Sequence, residues 1–190
     1  MIYLASQSPR RLQLLNQIGI KPTIINVDID ETRQPDEPAN HYAARLAAGK
    51  AKAGLELLSN DVDAPVIGAD TVVVCDDRIL GKPRDKEDGI AMLQLLSGRI
   101  HKVITAVAII NKTHIQKCVV ESEVTFTHLT QAEIEDYWNT GEPKDKAGAY
   151  AIQGLAAAYI SYVKGSYSAV VGLPLFEVAK ILKENFEIRI

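Results

Sequence analysis

The sequence has little cysteine, no excess of basic residues and no long apolar run. Its 190 residues include two cysteines, Cys75 and Cys118, which both lie in apolar, strand-like stretches. This setting favours buried thiols over a disulfide or a metal site. The net charge of −3 gives no overall positive field for nucleic acid or for an anionic membrane. Because the sequence also lacks a signal-peptide pattern and a membrane-length apolar stretch, we expect a soluble, cytoplasmic protein.

Several common site motifs are absent as well. The four histidines are scattered without the spacing of zinc ligands. The sequence contains no Walker loop, no Rossmann glycine fingerprint and no Gly-x-Ser-x-Gly motif. We therefore expect neither a zinc site nor a nucleophilic serine, and any phosphate site must be built from local features.

The most informative stretch is residues 6–11, Ser-Gln-Ser-Pro-Arg-Arg, between an apolar run and an amphipathic helical pattern. Ser8 occupies an N-cap position and Pro9 the first helical position. Free amides at a helix N-terminus attract phosphate, and Arg10 and Arg11 add positive charge beside them. Two interpretations stay open on this stretch alone: an anion site, or ordinary capping with two solvated arginines.

Two charged features follow along the chain. Residues 28–33 contain three acids, which form either a solvated surface loop or a weak divalent-cation site without calcium-loop spacing. Residues 39–58 predict a long helix with Lys50 on its apolar face and Lys52 on the opposite face, near Glu56. Since an unpaired buried ammonium is costly, Lys50 is the candidate functional lysine.

Asp70 stands in the middle of the most strand-like run, residues 65–75. A carboxylate there either ends the strand or faces a cleft where a cation meets it, and we favour a functional role. Asp76 and Asp77 predict a turn, and the returning chain would bring Lys82 back near Asp70 or Thr71. Without that hairpin, Lys82 would be an ordinary solvated lysine.

The glycine-punctuated residues 144–154 contain Gln153, whose amide can both donate to and accept from a nucleobase, a weak signal by itself. Helical and strand patterns alternate along the chain, and two adjacent strands appear in its middle. This order predicts an α/β protein with a mixed sheet, organised as one domain or one compact two-lobed unit.

Six short blocks occur in a fixed order along the chain. They are residues 4–11, 30–32, 45–47 with Lys50 and Lys52, 68–73, 81–83 and 146–154. Together these blocks resemble the Maf family of nucleoside triphosphate pyrophosphatases. The resemblance covers essentially the whole chain, so we expect a single domain over residues 1–190.

The resemblance implies a mixed α/β fold similar to that of inosine triphosphatase, with two lobes around a long cleft. It implies hydrolysis of a nucleoside triphosphate to the monophosphate and pyrophosphate with a divalent cation, Mg²⁺ or Mn²⁺, and Asp70 as proton acceptor. Arg10, Thr71 and Gln153 match the branch that prefers dTTP and UTP. A second branch, which prefers 7-methyl-GTP, has Trp, Gln and Glu at these three positions.

These expectations combine into one hypothesis for the site. Glu31 and Asp70 flank the cation, and Thr71 and Gln153 face the base. The triphosphate is held by Ser6, Ser8, Arg10, Arg11, Lys50 and Lys82. The alternatives are a nucleotide-binding regulator of septum formation and a 7-methyl-GTP pyrophosphatase, and a homodimer is a family-level expectation.

Overall fold

A computed structural model describes residues 1–59 and 61–189. Strands β1–β7 cover Tyr3–Ala5, Thr23–Ile24, Val66–Cys75, Arg78–Leu80, Ile100–Ile110, Ile115–Phe126 and Ile160–Lys164. Helices α1–α6 cover Pro9–Gln17, Ala39–Glu56, Lys86–Leu96, Gln131–Asn139, Tyr167–Val171 and Leu175–Phe186. Short 3-10 segments occupy Glu142–Asp145, Ala147–Ala149 and Leu155–Tyr159. The predicted α/β class is confirmed.

The strands form a mixed sheet with the order β2-β1-β3-β5-β6-β7, and β4 pairs with β3. β1 is parallel to β2 and to β3, whereas the β3–β4 and β6–β7 pairs are antiparallel. The mixed sheet is therefore confirmed too. Among the described residues, no helix combines the length and apolar composition that crossing a membrane requires.

The chain divides into two compact units. The first contains Met1–Asp70, Thr105–Val120 and Gly172–Ile190, and the second contains Thr71–Ile104 and Glu121–Val171. Two units agree with the two expected lobes, while the expected cleft stays a prediction. Both cysteines are free thiols; Cys75 is buried, as its apolar surroundings predicted, whereas Cys118 is only half-buried.

In the first unit, helix α2 packs against strands β1 and β3 through its smallest residues. Its buried face consists of Ala43, Leu46, Ala47, Ala51 and Gly54. A Cβ atom added at Gly68 of β3 would clash with the backbone of Ala47 and Ala51. The contact is therefore backbone against backbone, at a distance that only glycine permits.

In the second unit, the β3–β4 hairpin turns at Asp76 and Asp77, which both adopt positive φ angles of 48° and 59°. Two such residues form the tight turn whose twist matches a hairpin, and aspartate tolerates this conformation. Helix α4 begins with a capping box, in which Thr130 and Glu133 each accept a hydrogen bond from the other's backbone amide. The local sequence thus determines both features.

Two elements are short. Strand β2 covers only Thr23–Ile24 of the apolar run at residues 23–27. Helix α2 ends at Glu56, two residues before the predicted end at residue 58, and Leu57 is 64% exposed. The predicted helix is therefore confirmed over all but its last two residues.

Replacing Gly68 by alanine should destabilise the protein by about 1–3 kcal/mol, because the new methyl group must push α2 away from β3. Urea unfolding of the variant measures this loss. Gly81→Ala is the matched control, since a Cβ atom there meets nothing within 4 Å. Equal stability of the two variants would show that the close contact of α2 with β3 is not needed.

Candidate functional site

Three parts of the first unit lie at the carboxyl ends of its paired parallel strands. Residues 6–11 follow β1, the acidic residues 28–33 come after β2, and Asp70 lies two residues beyond the Gly68–Ala5 pair of β3. Since the carboxyl ends of parallel strands share an edge, ligand sites of open α/β sheets form there. This topology explains why residues far apart in sequence converge.

Lys50 joins two of these segments. Its Nζ lies 2.8 Å from Asp70 Oδ1 and 2.7 Å from Glu31 Oε1. The side chains of Lys50 and Asp70 are only 15% and 11% exposed, whereas that of Glu31 is 55% exposed. Lys52, by contrast, is exposed and 3.9 Å from Glu56. The predicted inward position of Lys50 is confirmed, and the Lys50 ammonium group is the positive charge that faces Asp70.

The turn after β1 is organised by Ser6. Its buried hydroxyl oxygen accepts hydrogen bonds from the Ser8 amide at 3.2 Å and from Arg11 Nη1 at 3.1 Å. Ser8 is the N-cap of α1, as predicted, although its side chain makes no capping hydrogen bond. Arg10, in the first turn of α1, is half-buried. The hydroxyl that shapes the turn is therefore that of Ser6, not the cap residue.

Arg11 brings a half-buried positive charge close to the carboxylates. Its Nε donates to the Gly172 carbonyl at 2.9 Å, which fixes the guanidinium. Burial lowers the pKa of Arg11, and the neighbouring charges of Asp70 and Glu31 oppose this shift. Since an arginine stays charged in a protein, it offsets the negative charge of these carboxylates.

The loop that carries Glu31 is fixed by residues of α2. The Tyr42 hydroxyl donates to the Glu31 carbonyl at 2.8 Å, and Arg45 Nη2 donates to the Thr32 carbonyl at 3.0 Å. Arg45 also donates to both oxygens of the buried Glu37 carboxylate, at 2.7 and 2.8 Å. This bidentate pair anchors an irregular loop to a helix.

Glu31 and Asp70 were expected to flank a divalent cation, and their chemistry fits that role. Both carboxylates reach one ammonium, so they lie side by side, and oxygen ligands suit Mg²⁺ and Mn²⁺. The described residues contain no group of three or more acidic, histidine or cysteine side chains placed to hold a metal. Two carboxylates fit Mg²⁺, because this ion usually takes its other ligands from water and substrate phosphates.

The second unit carries Thr71, Lys82 and Gln153. The predicted hairpin is confirmed, and extending its Val73–Leu80 register by two residues would place Lys82 opposite Thr71. Lys82 borders a pocket of about 320 Å³, whose other charged lining residues are Arg78, Arg84 and Asp88. The pocket is therefore predominantly basic.

The backbone links the Lys82 turn to the segment that carries Gln153. The Gly148 amide donates to the Gly81 carbonyl at 3.0 Å, and Gly148 has a φ angle of 69° with Val73 packed beneath it. A non-glycine residue would be strained at this position. Gln153 itself is exposed.

Asp70 and Thr71 are consecutive residues of β3. Successive side chains of a strand point to opposite faces, so these two do not share one face. The base contact expected of Thr71 stays a prediction.

The sequence did not indicate that Glu37 and Arg45 hold the acidic loop. Glu37 carried no assigned role, and Arg45 entered only as part of the block of residues 45–47. Their eight-residue separation fits no local pairing rule, since helical pairs are three or four residues apart. The available signal was Pro35 and Pro38, which are typical of a turn just before a helix.

Comparisons with known proteins agree with the expected family. Residues 1–185 match the family model for Maf-like protein. A Saccharophagus degradans protein named dTTP/UTP pyrophosphatase is 50% identical over 98% of this chain and 89% of its own length. An Alkalilimnicola ehrlichii protein of the same name is 51% identical over 98% of this chain and 93% of its own.

Similarity to solved structures is weaker. The Staphylococcus aureus Ham1 protein aligns with a TM-score of 0.40 and 14% identity over 68% of this chain and 72% of its own. A similarity of this size supports no conclusion about the chain.

Glu37→Gln should destabilise the protein at neutral pH and lose this effect in acid. Hydrogen bonds from Arg45 lower the pKa of Glu37 from its ordinary 4.5 to about 2. A carboxylate with a depressed pKa stabilises the fold fully above pH 4.5, and progressively less as the pH falls toward 2. Urea unfolding at pH 7 and pH 3.5 should therefore show a smaller difference between variant and wild type at the lower pH.

Glu56→Gln provides the control, because its pair with Lys52 is exposed and long. It should change stability little at either pH. A Glu37→Gln effect that is constant with pH would contradict the assigned role of the Arg45–Glu37 pair.

Proposed function

The chain belongs to the Maf family, and from this premise we propose that it is a nucleoside triphosphate pyrophosphatase acting on dTTP and UTP. The observation that carries the proposal is the Lys50–Glu31–Asp70 cluster beside the helix-start turn of residues 6–11. The names of relatives about 50% identical over nearly the whole chain support the substrates. Hydrolysis of these nucleotides would serve to clean nucleotide pools.

Asp70 is the proposed proton acceptor. Water attacks the α-phosphorus, its proton passes to an Asp70 carboxylate oxygen, and the bond to the oxygen that bridges the α- and β-phosphorus atoms breaks. The products are the nucleoside monophosphate and pyrophosphate. Lys50 donates to Oδ1 of Asp70, which holds the carboxylate in a fixed orientation. A positioned base of this kind contributes roughly 100- to 10,000-fold to the rate.

Positive charge and backbone amides hold the triphosphate. The dipole at the start of α1 favours an anion, and Arg10 and Arg11 add guanidinium charge there. Lys50 and Lys82 add ammonium groups that stabilise the charge developing on pyrophosphate as it leaves. The Ser6 hydroxyl shapes the turn that presents these donors, and Ser8 contributes its backbone amide to that turn.

A divalent cation, Mg²⁺ or Mn²⁺, is the proposed cofactor, with Glu31 and Asp70 as its protein ligands. When bound, it would polarise phosphate oxygens and make the attacking water more acidic. Chelation should stop pyrophosphate release, and added Mg²⁺ or Mn²⁺ should restore it.

Thr71 and Gln153 are the proposed base contacts, with Arg10 as a further selective position. The Gln153 amide matches the carbonyl and N–H groups on one edge of uracil or thymine. We also propose a cytoplasmic location, which the two free thiols favour.

Asp70→Asn should lower kcat for dTTP by at least about 100-fold and change nucleotide affinity little, because the amide keeps the shape but cannot take the proton. Pyrophosphate release with Mg²⁺ or Mn²⁺ measures turnover, and calorimetry with a non-hydrolysable dTTP analogue measures binding. Asp136→Asn, on the exposed face of α4, is the control and should match wild type. Near-normal turnover by Asp70→Asn would refute its role.

A substrate panel of dTTP, UTP, CTP, GTP and 7-methyl-GTP separates the alternatives. Preference for dTTP and UTP is the expected result. Preference for 7-methyl-GTP would place the chain in the other branch. Nucleotide binding without turnover would instead favour a regulator.

A further inference from the structure

Gln153 lies at the tip of a tight turn. The Gly154 amide donates to the Ala151 carbonyl at 3.0 Å, so Ile152 and Gln153 are the two central residues of this turn. Ile152 is buried and Gln153 is exposed. The side chain of Gln153 is thus presented outward from a turn whose other central residue is anchored in the core.

The first residue of this turn is held by Tyr137. The Ala151 amide donates to the Tyr137 hydroxyl oxygen at 3.2 Å, and that hydroxyl donates to Glu142 Oε1 at 2.7 Å. Burial and the contact with Glu142 raise the pKa of Tyr137, so the hydroxyl keeps its proton. Tyr137 is 2% exposed, which protects both hydrogen bonds from water.

The far end of the turn is held by Glu142. Its Oε2 accepts from the Leu155 amide at 3.0 Å, directly after Gly154. A Cβ atom at Gly154 would clash with the Glu142 carboxylate, so the contact requires glycine. The same two side chains therefore hold both ends of the Gln153 turn and are hydrogen-bonded to each other.

We propose that Tyr137 and Glu142 are positioning residues for base selection, acting through the turn that presents Gln153. This inference rests on the function proposed above. Fixing the backbone at Ala151 and Leu155 confines Gln153 to one position, so a uracil edge finds its amide already placed. Tyr137 and Glu142 thus form a clamp on the turn. Without this clamp, each substrate would have to order Gln153 as it binds, which weakens binding and discrimination.

UTP and CTP provide the test, because they share sugar and triphosphate and differ only in the base. Tyr137→Phe removes both hydrogen bonds and keeps the ring. We expect a roughly tenfold rise in KM for UTP, kcat within about threefold, and a roughly tenfold fall in the UTP/CTP ratio of kcat/KM. Gly154→Ala should act in the same direction by displacing Glu142.

Tyr159→Phe is the matched control. The ring centroids of Tyr159 and Tyr137 are 5.8 Å apart, but the Tyr159 hydroxyl takes no part in the hydrogen bonds that hold the turn. This variant should keep the UTP/CTP ratio of wild type. A double mutant tests whether Tyr137 acts through Gln153. In a Gln153→Ala background, Tyr137→Phe should change the UTP/CTP ratio of kcat/KM less than about twofold, because the side chain through which Tyr137 acts is already gone.

Equal losses for UTP and CTP in Tyr137→Phe would overturn the proposal, since they indicate a general structural role. Hydrogen exchange is read independently of activity: the amides of Ala151 and Leu155 should exchange faster in Tyr137→Phe than in Tyr159→Phe. Unchanged exchange would show that no clamp exists. Failure of the wild type to prefer UTP, with exchange changed as expected, would instead refute the proposed substrate.

Discussion

The contact between the Lys50 ammonium and the carboxylates of Glu31 and Asp70 sets the requirements for the first unit. Asp70 lies inside an otherwise apolar strand, where an unpaired carboxylate would be strongly unfavourable. Its partner must come from another element that approaches closely. The alanine-rich face of α2 and the missing side chain of Gly68 allow that approach, and the loop after β2 adds the second carboxylate. Charge and packing are thus satisfied by the same contact.

Two glutamates perform equivalent tasks in the two units. Glu37 accepts hydrogen bonds from Arg45 and from the Gln34 amide, and Glu142 accepts them from Tyr137 and from the Leu155 amide. In each case one carboxylate collects a side-chain donor and a backbone donor from an irregular segment. Such segments cannot satisfy their amides through regular ladders, so an acceptor with two oxygens orders them efficiently. Both segments carry residues proposed to meet the substrate.

The features that followed from the sequence depend on local rules. Helical periodicity placed Lys50 on the inward face of α2, and the conflict between Asp70 and its apolar strand identified that carboxylate as a candidate functional group. The contacts of Glu37 with Arg45 and of Glu142 with Leu155 could not be predicted, because the sequence separation of these residues matches no helical or strand repeat. Strand geometry alone predicts that the side chains of the consecutive residues Asp70 and Thr71 point to opposite faces of the sheet. The sequence motif nevertheless suggested that both belong to one site.

Tyr137 and Glu142 hold the turn that presents Gln153 through its main chain. Tyr137 and Glu142 bind amide groups of the flanking residues, and those groups are the same whatever side chain occupies position 153. Mutation at this position can therefore alter which chemical groups face a nucleotide while the loop keeps its shape. Such an arrangement lets new substrate preferences arise by single substitutions during divergence, since the scaffold that aims the side chain needs no accompanying change.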